Sequence, residues 1–285
     1  MTYHLEVWQG MTNYRRFQLG PIDLQIPKGM ITAVIGRNGA GKTTMLKGLC
    51  GLPPFQKGKV YYRGVEIDFL DPTIRKYMTY ISNDIQMYSD FTVNQAIEFV
   101  ASLHETWDED WFHLWLTKFK VRTDVQIHEL SKGMKMKLNL LFGLGHQPKI
   151  VLLDEPTDGL DSISRQQFFD LLQAYIADNN CSIIISTHYT KDVEGICDHV
   201  VFMRDGQVTE YGEVEEIRQN YRLFSLPPNE MIHEREGVIA ITTGVETKGV
   251  VLTELVDTLP ENVVIKKPTL DDIFLYVVEN GGDVS

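Results

Sequence analysis

Gly36-Arg37-Asn38-Gly39-Ala40-Gly41-Lys42-Thr43-Thr44 is the stretch that decides the fold of this chain. It reads G-x-x-x-x-G-K-T, and its flanks differ in character. Before it, Met30-Ile31-Thr32-Ala33-Val34-Ile35 is apolar and rich in β-branched residues, the composition of a buried strand. After it, Thr44-Met45-Leu46-Lys47-Gly48-Leu49 opens a helix. The order strand, glycine loop, helix predicts a phosphate cradle. Glycines 36, 39 and 41 let the backbone turn tightly and approach a phosphate closely. The N–H groups of the loop, with those of Asn38, Ala40 and Thr44 among them, then form an anion nest at a helix N-terminus. In such a loop Lys42 reaches the β- and γ-phosphates and the Thr43 hydroxyl ligates Mg²⁺. A nucleotide-binding protein is the expectation from this stretch alone.

Working outward, the bulk composition narrows the class. The chain has 285 residues, 43% of them hydrophobic, enough for a large core in one or two domains. Its 27 basic and 39 acidic residues leave a formal charge of −12, which argues against nucleic acid as the main partner. Cys50, Cys181 and Cys197 are too scattered for a disulfide framework and read as reduced core residues. The start MTYHLEVWQG lacks the pattern of a signal peptide, and no apolar run reaches the roughly 18 residues of a membrane span. The expectation is a cytoplasmic chain that meets a membrane only through a partner.

The remaining segments follow in order. Ile22, Leu24 and Ile26 alternate with polar residues as in a half-buried strand. Tyr14, flanked by Arg15 and Arg16, is either a ring for stacking on a nucleotide base or an ordinary half-exposed tyrosine. KVYYRGVEI at 59–67 reads as a hairpin around Arg63-Gly64, and 77–81 as a strand ending in the polar turn Ser82-Asn83-Asp84. Thr92 with Gln95 fits a capping box, and Val93, Ile97 and Val100 share the buried face of the helix that follows. A second helix after Asp108 carries Trp111, Phe112, Trp115 and Phe119, with Trp107 just before it. One apolar stripe does not bury so many rings, so a partner-facing aromatic is expected, with Trp107 the surface candidate and Trp115 and Phe119 core. Ser131 stands where it caps a helix whose buried face holds Met134, Leu138, Leu141 and Phe142, with Lys132, Lys135 and Lys137 in water. Ile150-Val151-Leu152-Leu153 is wholly apolar, as a parallel sheet covered on both faces requires, and ends in Asp154-Glu155. Ser182–Ser186 is a second such strand, leading to Thr187-His188, and Asp205-Gly206 marks a further hairpin.

Glycine loop, signature and acidic strand end occur here in a recognisable order. Leu130-Ser131-Lys132-Gly133-Met134 resembles the L-S-G-G-Q signature of the ABC-type ATPases, keeping Leu, Ser and the second Gly. The L-S-K-G-M form resembles the drug- and peptide-exporting branch. The apolar strand with Asp154-Glu155 is similar to the family's Walker B element, His188 to its switch histidine, and Asp161 in Gly159-Leu160-Asp161 to its D-loop aspartate. The resemblance covers about residues 1–220. It implies ATP and Mg²⁺ as cofactors, with Asp154 and Thr43 at the metal and Glu155 orienting or deprotonating the attacking water. It also implies a contact of His188 with the γ-phosphate. Ser131 and Gly133 then act on the ATP of a second nucleotide-binding subunit, in a homodimer or a homologous heterodimer. The family places a metal-contacting Gln where this chain has Asn83, one methylene shorter.

The resemblance implies a fold: an α/β P-loop NTPase core of ABC type, with an antiparallel β subdomain and a helical insert at about 85–145. Leu226-Pro227-Pro228-Asn229 reads as a linker. Residues 1–219 are expected to form the ATPase domain and 220–285 a small α+β appendage, whose last helix is capped by Thr269. In function the chain resembles the ATP-hydrolysing subunit of an exporter of peptide, drug or lipid. It would lie on the inner face of the cell membrane against separate transmembrane permease subunits. The rival expectation is a soluble ABC-type ATPase acting on ribosomes or nucleic acid. Such relatives usually carry two nucleotide domains or a long coiled coil, and this acidic chain holds one set of motifs.

Overall fold

The apolar runs become the central sheet of the protein, a computed structural model that describes residues 2–82, 89–226, 237–243 and 246–280. The chain opens with an antiparallel hairpin, β1 (Tyr3–Tyr14) and β2 (Phe17–Pro27). β3 (Ile31–Ile35) follows and passes through the glycine loop into α1 (Lys42–Cys50). β4 (Lys57–Tyr62) and β5 (Val65–Glu66) are joined by Arg63-Gly64, both at positive φ, the turn geometry that matches the twist of paired strands. β4 pairs with β1, giving an antiparallel sheet of order β2-β1-β4-β5.

β6 (Met78–Ser82) leads to the helical insert, made of α2 (Val93–Ser102), α3 (Glu109–Lys118) and α4 (Lys132–Leu144). Then come β7 (Ile150–Asp154), α5 (Ser162–Asn179), β8 (Ser182–Thr187), the single turn α6 (Thr190–Val193), β9 (His199–Arg204), β10 (Gln207–Glu213) and α7 (Val214–Asn220). The second sheet has the order β10-β9-β3-β8-β7-β6, parallel throughout except for β10 at its edge.

Alternation along the parallel strands divides the core in two. Ala33, Val151, Leu153, Ile183, Ile185 and Phe202 face the insert and α5. Val34, Ile150, Leu152, Ile184 and Val201 face α1 and the first sheet. Both faces are covered, which is why these strands read as unbroken apolar runs. β3 and β7 flank β8 and all three run parallel, so the glycine loop and Asp154-Glu155 emerge at the same end of the sheet. Ligands of open α/β sheets bind at that end.

Within the insert, Thr92 and Gln95 form the expected capping box and Asp108 caps α3 through the Trp111 amide. Phe112, Trp115 and Phe119 are buried. The insert keeps partly exposed rings, as expected: Trp107 and Trp111 are half-buried, with the Trp107 ring centroid 4.9 Å from that of Phe112 and its ring against Gly145. One expectation is corrected here. Lys137 is buried rather than wet. It lies on the side of α4 that meets α5, where its amine donates to Gln167 Oε1 at 2.5 Å and sits over the Phe119 ring. Burial lowers its pKa.

The C-terminal strands form a third, antiparallel sheet of order β12-β13-β11-β14: β11 (Tyr221–Leu226), β12 (Val238–Thr243), β13 (Glu246–Leu252) and β14 (Val264–Lys266). It has a small core of its own around Phe224, Val238 and Val251. α8 (Leu270–Ile273), capped by Thr269, runs on as a π-helical segment over Phe274–Asn280. Leu270, Ile273 and Val278 from these turns join the main core beside the parallel sheet.

Candidate functional site

The glycine loop is braced from inside and outside. Ala40 N donates to Arg37 O at 3.1 Å, and Met45 N to Gly41 O at 2.8 Å, starting the helix. Gly41 has φ +104°, and a Cβ there would lie 2.8 Å from the Phe17 ring. Glycine is therefore required both for the backbone conformation and for space. Outside, Gly206 N donates to Ala40 O and Gly20 N to Gly206 O, which ties the loop to the β9–β10 turn and to β2. Lys42 is buried within the loop it serves. Its amine donates to Gly36 O at 2.7 Å and Arg37 O at 3.1 Å, and lies 3.0 Å from Glu155 Oε1.

Asp154, the last residue of β7, is a hub of three hydroxyl donors. Thr43 Oγ1 donates to its Oδ1 at 3.0 Å, Ser186 Oγ to the same oxygen at 2.6 Å, and Tyr80 Oη to Oδ2 at 2.8 Å. Burial and the adjacent carboxylate push the Tyr80 phenol far above its ordinary pKa, so it stays a donor. Glu155 follows with φ +47°, in the left-handed region. Its amide donates to Ser186 O and Oγ at 3.2 and 3.0 Å. Its carboxylate spans two partners, Lys42 at one oxygen and His188 Nδ1, 2.8 Å away, at the other. Lys42, Thr43, Asp154, Glu155 and His188 are thus one connected cluster.

A cavity of about 280 Å³ opens over it, lined by Asn38, Gly39, Gly41, Lys42, Thr43 and Thr44 of the loop together with Phe17 and Glu155. Gly36 and Ala40 do not line it; Ala40 lines a second cavity, and Gly36 lies against the Met203 carbonyl. The Thr43 hydroxyl and the Asp154 carboxylate are hard oxygen donors in mutual contact, a donor set that fits Mg²⁺. Among the described residues no group of three or more His, Cys, Asp or Glu could hold a metal. A magnesium ion here would take its other oxygens from phosphate and water.

Ser131, Gly133 and Asp161 form a separate group. Ser131 caps α4, accepting from Met134 N at 3.3 Å. Asp161 caps α5, accepting from Ser164 N at 2.8 Å and Ser164 Oγ at 2.9 Å, which holds its pKa below the usual range. A Cβ on Gly133 would lie 2.9 Å from that same Ser164 Oγ, so α4 and α5 meet closely there. None of the three lines the cavity over Lys42. Tyr14 is exposed and stacks on Phe17, with ring centroids 6.4 Å apart; Phe17 rather than Tyr14 lines the cavity. Asn83 lies outside the described residues.

Sequence reasoning missed Phe17, Tyr80 and Ser186. The strand register carried a signal for Ser186, because β7 and β8 are adjacent and pair Asp154 with Ser186. Phe17 had only its place three residues after Tyr14 across a tight turn, and Tyr80 reads as one more strand aromatic.

A parallel sheet with a glycine loop between β3 and α1, and an acidic pair ending β7, is the frame of a P-loop ATPase. Residues 19–158 match the ABC transporter family, and the chain belongs to it as an ATP-binding cassette ATPase. It is 29% identical over 203 residues to the ABC transporter ATP-binding protein YtrB of Bacillus subtilis (strain 168), covering 71% of this chain and 69% of that one. It is 30% identical over 204 residues to the uncharacterized ABC transporter ATP-binding protein MJ1023 of Methanocaldococcus jannaschii, covering 70% and 73%. Among solved structures, cbiO1 from Clostridium perfringens matches with a TM-score of 0.66 at 28% identity, covering 76% of this chain and 91% of that one.

Proposed function

We propose that the chain is the ATP-hydrolysing subunit of an ABC exporter of peptide, drug or lipid, working in pairs on separate permease subunits at the inner face of the cell membrane. No helix among the described residues is long and apolar enough to cross a membrane. The similar cbiO1 is part of the ABC transporter complex cbiONQ, which supports such a division of labour. The L-S-K-G-M signature supports the exporter branch. In this reading residues 1–219 carry the ATPase and 220–285 an accessory region.

The roles follow from the contacts. Lys42 and the loop amides bind the β- and γ-phosphates, with the Phe17 ring on the cavity wall and Tyr14 stacked on it from outside. Thr43 and Asp154 would hold Mg²⁺, which would supply neutralisation of phosphate charge. Ser186 and Tyr80 fix the orientation of the Asp154 carboxylate. Glu155 takes the proton of the attacking water, and His188, bonded to its other oxygen, orients it.

The observation that carries the paired state is the position of Ser131 and Gly133, at the N-terminus of a 13-residue helix and outside the cavity lining. A helix N-terminus attracts phosphate, and a second copy facing this one would present it to the cavity. Two inactive variants test this, Lys42→Ala and Ser131→Arg. Mixed together they should recover ATPase activity, because a mixed pair keeps one intact composite site. Persistent inactivity in a mixture shown to contain mixed pairs would refute the shared site. Failure of membrane proteins to co-purify with the chain from its own membranes would refute the transport assignment.

A further inference from the structure

The π-helical segment Phe274–Asn280 comes back to the nucleotide loop. Glu279, in the π-helical segment, places Oε2 2.5 Å from Arg37 Nε, and its side chain is only 9% exposed. The same segment is fixed at two neighbouring points. Arg204 donates from a guanidinium nitrogen to Val278 O at 2.6 Å, and the Phe274 ring stacks on Phe202 of β9 at 6.1 Å. Val278 itself is fully packed in the main core. The segment and the loop both line a cavity of about 490 Å³, the loop through Arg37, Asn38 and Ala40 and the segment through Glu279.

Arg37 is not a passive partner. Its carbonyl accepts from Ala40 N, which closes the loop, and from Lys42 Nζ, which sets the amine. Its guanidinium is otherwise solvent-exposed, so the Glu279 carboxylate is what fixes the side chain. A charge-assisted bond to a rigid carboxylate holds one residue of the loop, and that residue holds Lys42. A loop already in its binding shape has less ordering to lose when phosphate arrives.

We propose that Glu279 is a positioning residue for nucleotide binding, acting through Arg37 on the loop that carries Lys42. The inference rests on the ATPase reading of that loop and adds the C-terminal segment to its machinery. It links the third sheet to the ATP site, because β12 and β13 both pack on the segment that bears Glu279.

The test uses the full chain, an ATP titration of turnover, and binding of a fluorescent ATP analogue with Mg²⁺. Glu279→Gln, Glu279→Ala, Arg37→Ala and the double variant Arg37→Ala/Glu279→Ala are compared with the parent. The expected result is a rise of about fivefold in KM and in analogue Kd, near the upper end for a pair with one exposed partner, with kcat retained. The double variant should lose no more than either single alanine variant, since both remove the same contact. Unchanged nucleotide affinity, tighter binding, or additive losses would overturn the proposal. So would a lowered melting temperature with unchanged KM, which makes the pair a structural strap. A parent chain that binds no ATP analogue would instead overturn the reading of the loop itself.

Discussion

Glu155→Gln separates the two duties that the structure gives this carboxylate. One oxygen is 3.0 Å from Lys42, whose amine is almost fully buried, and the other is 2.8 Å from His188. At an effective dielectric of about 20, the attraction of the Lys42 pair is about 5 kcal/mol before desolvation. The net worth of a hydrogen bond to a charged group is smaller, about 1.5–3 kcal/mol. An arriving γ-phosphate must displace that carboxylate from Lys42. Glutamine keeps the volume and an acceptor oxygen but gives up the charge, so displacement costs less by about 1 kcal/mol or more. ATP affinity should therefore rise by about fivefold or more, while the proton acceptor for water is lost and turnover falls by about 10² to 10⁴. Single-turnover hydrolysis and equilibrium binding of ATP measure the two effects independently. Parental turnover in the variant would remove Glu155 from the role of base. A large loss of ATP affinity would refute the competition between carboxylate and phosphate for Lys42.

Other consequences follow from neighbouring contacts. Ser186→Ala deletes the 2.6 Å donor to Asp154 and an acceptor for the Glu155 amide; it should cost about 2 kcal/mol in denaturant unfolding and lower kcat more than it raises KM. Lys137→Met should leave the melting temperature unchanged or higher, because it replaces a buried charge by an apolar chain of similar size, whereas Lys137→Ala should lose about 2 kcal/mol or more to a cavity; equal losses would contradict the packing described for α4. Trp107→Ala should destabilise the chain by about 3 kcal/mol through lost packing on Phe112 and leave capture of membrane partners intact; the reverse pattern would make Trp107 a docking anchor. His146 is buried, stacks on His104 with centroids 4.3 Å apart, and is pushed down to about 4, first by burial and then by His104. Unfolded, it takes up a proton near pH 6.5, so between pH 6.5 and 4 the unfolded chain binds more protons and stability falls as pH drops, by up to about 1.4 kcal/mol per unit for that group. His146→Phe should flatten part of that slope, the rest being shared by His4, also pushed down to about 4, and by His104 and His199, both lowered by burial; an unchanged slope would refute the assignment.

The sheet was legible because its strands are buried on both faces, and such runs as Ile150–Leu153 admit few other readings. Loop, acidic pair and caps were legible for a related reason: each needs a particular residue at a fixed offset within a few positions. What escaped was long-range. Nothing local in Tyr80 shows that its hydroxyl finds Asp154, nor in Glu279 that it returns to Arg37. Lys137 was misread because a lysine on an amphipathic helix normally faces water, and only the packing of α5 against α4 reverses that.

The backbone of Glu155 limits what evolution or design can place there. Side chains alternate along a strand, so a strand continuing past Asp154 would send the next residue to the opposite face. The turn to φ +47° undoes that alternation, and the two adjacent carboxylates reach Thr43 and Lys42, themselves adjacent on the facing helix. A β-branched residue at 155 would be penalised twice, by lost chemistry and by a conformation such side chains rarely accept. Asparagine or glycine would suit the backbone better than glutamate does. A library screened for thermal stability alone should therefore drift toward them at this position, and a library screened for ATP turnover should return to glutamate. Position 155 is one where folding and catalysis select different alphabets.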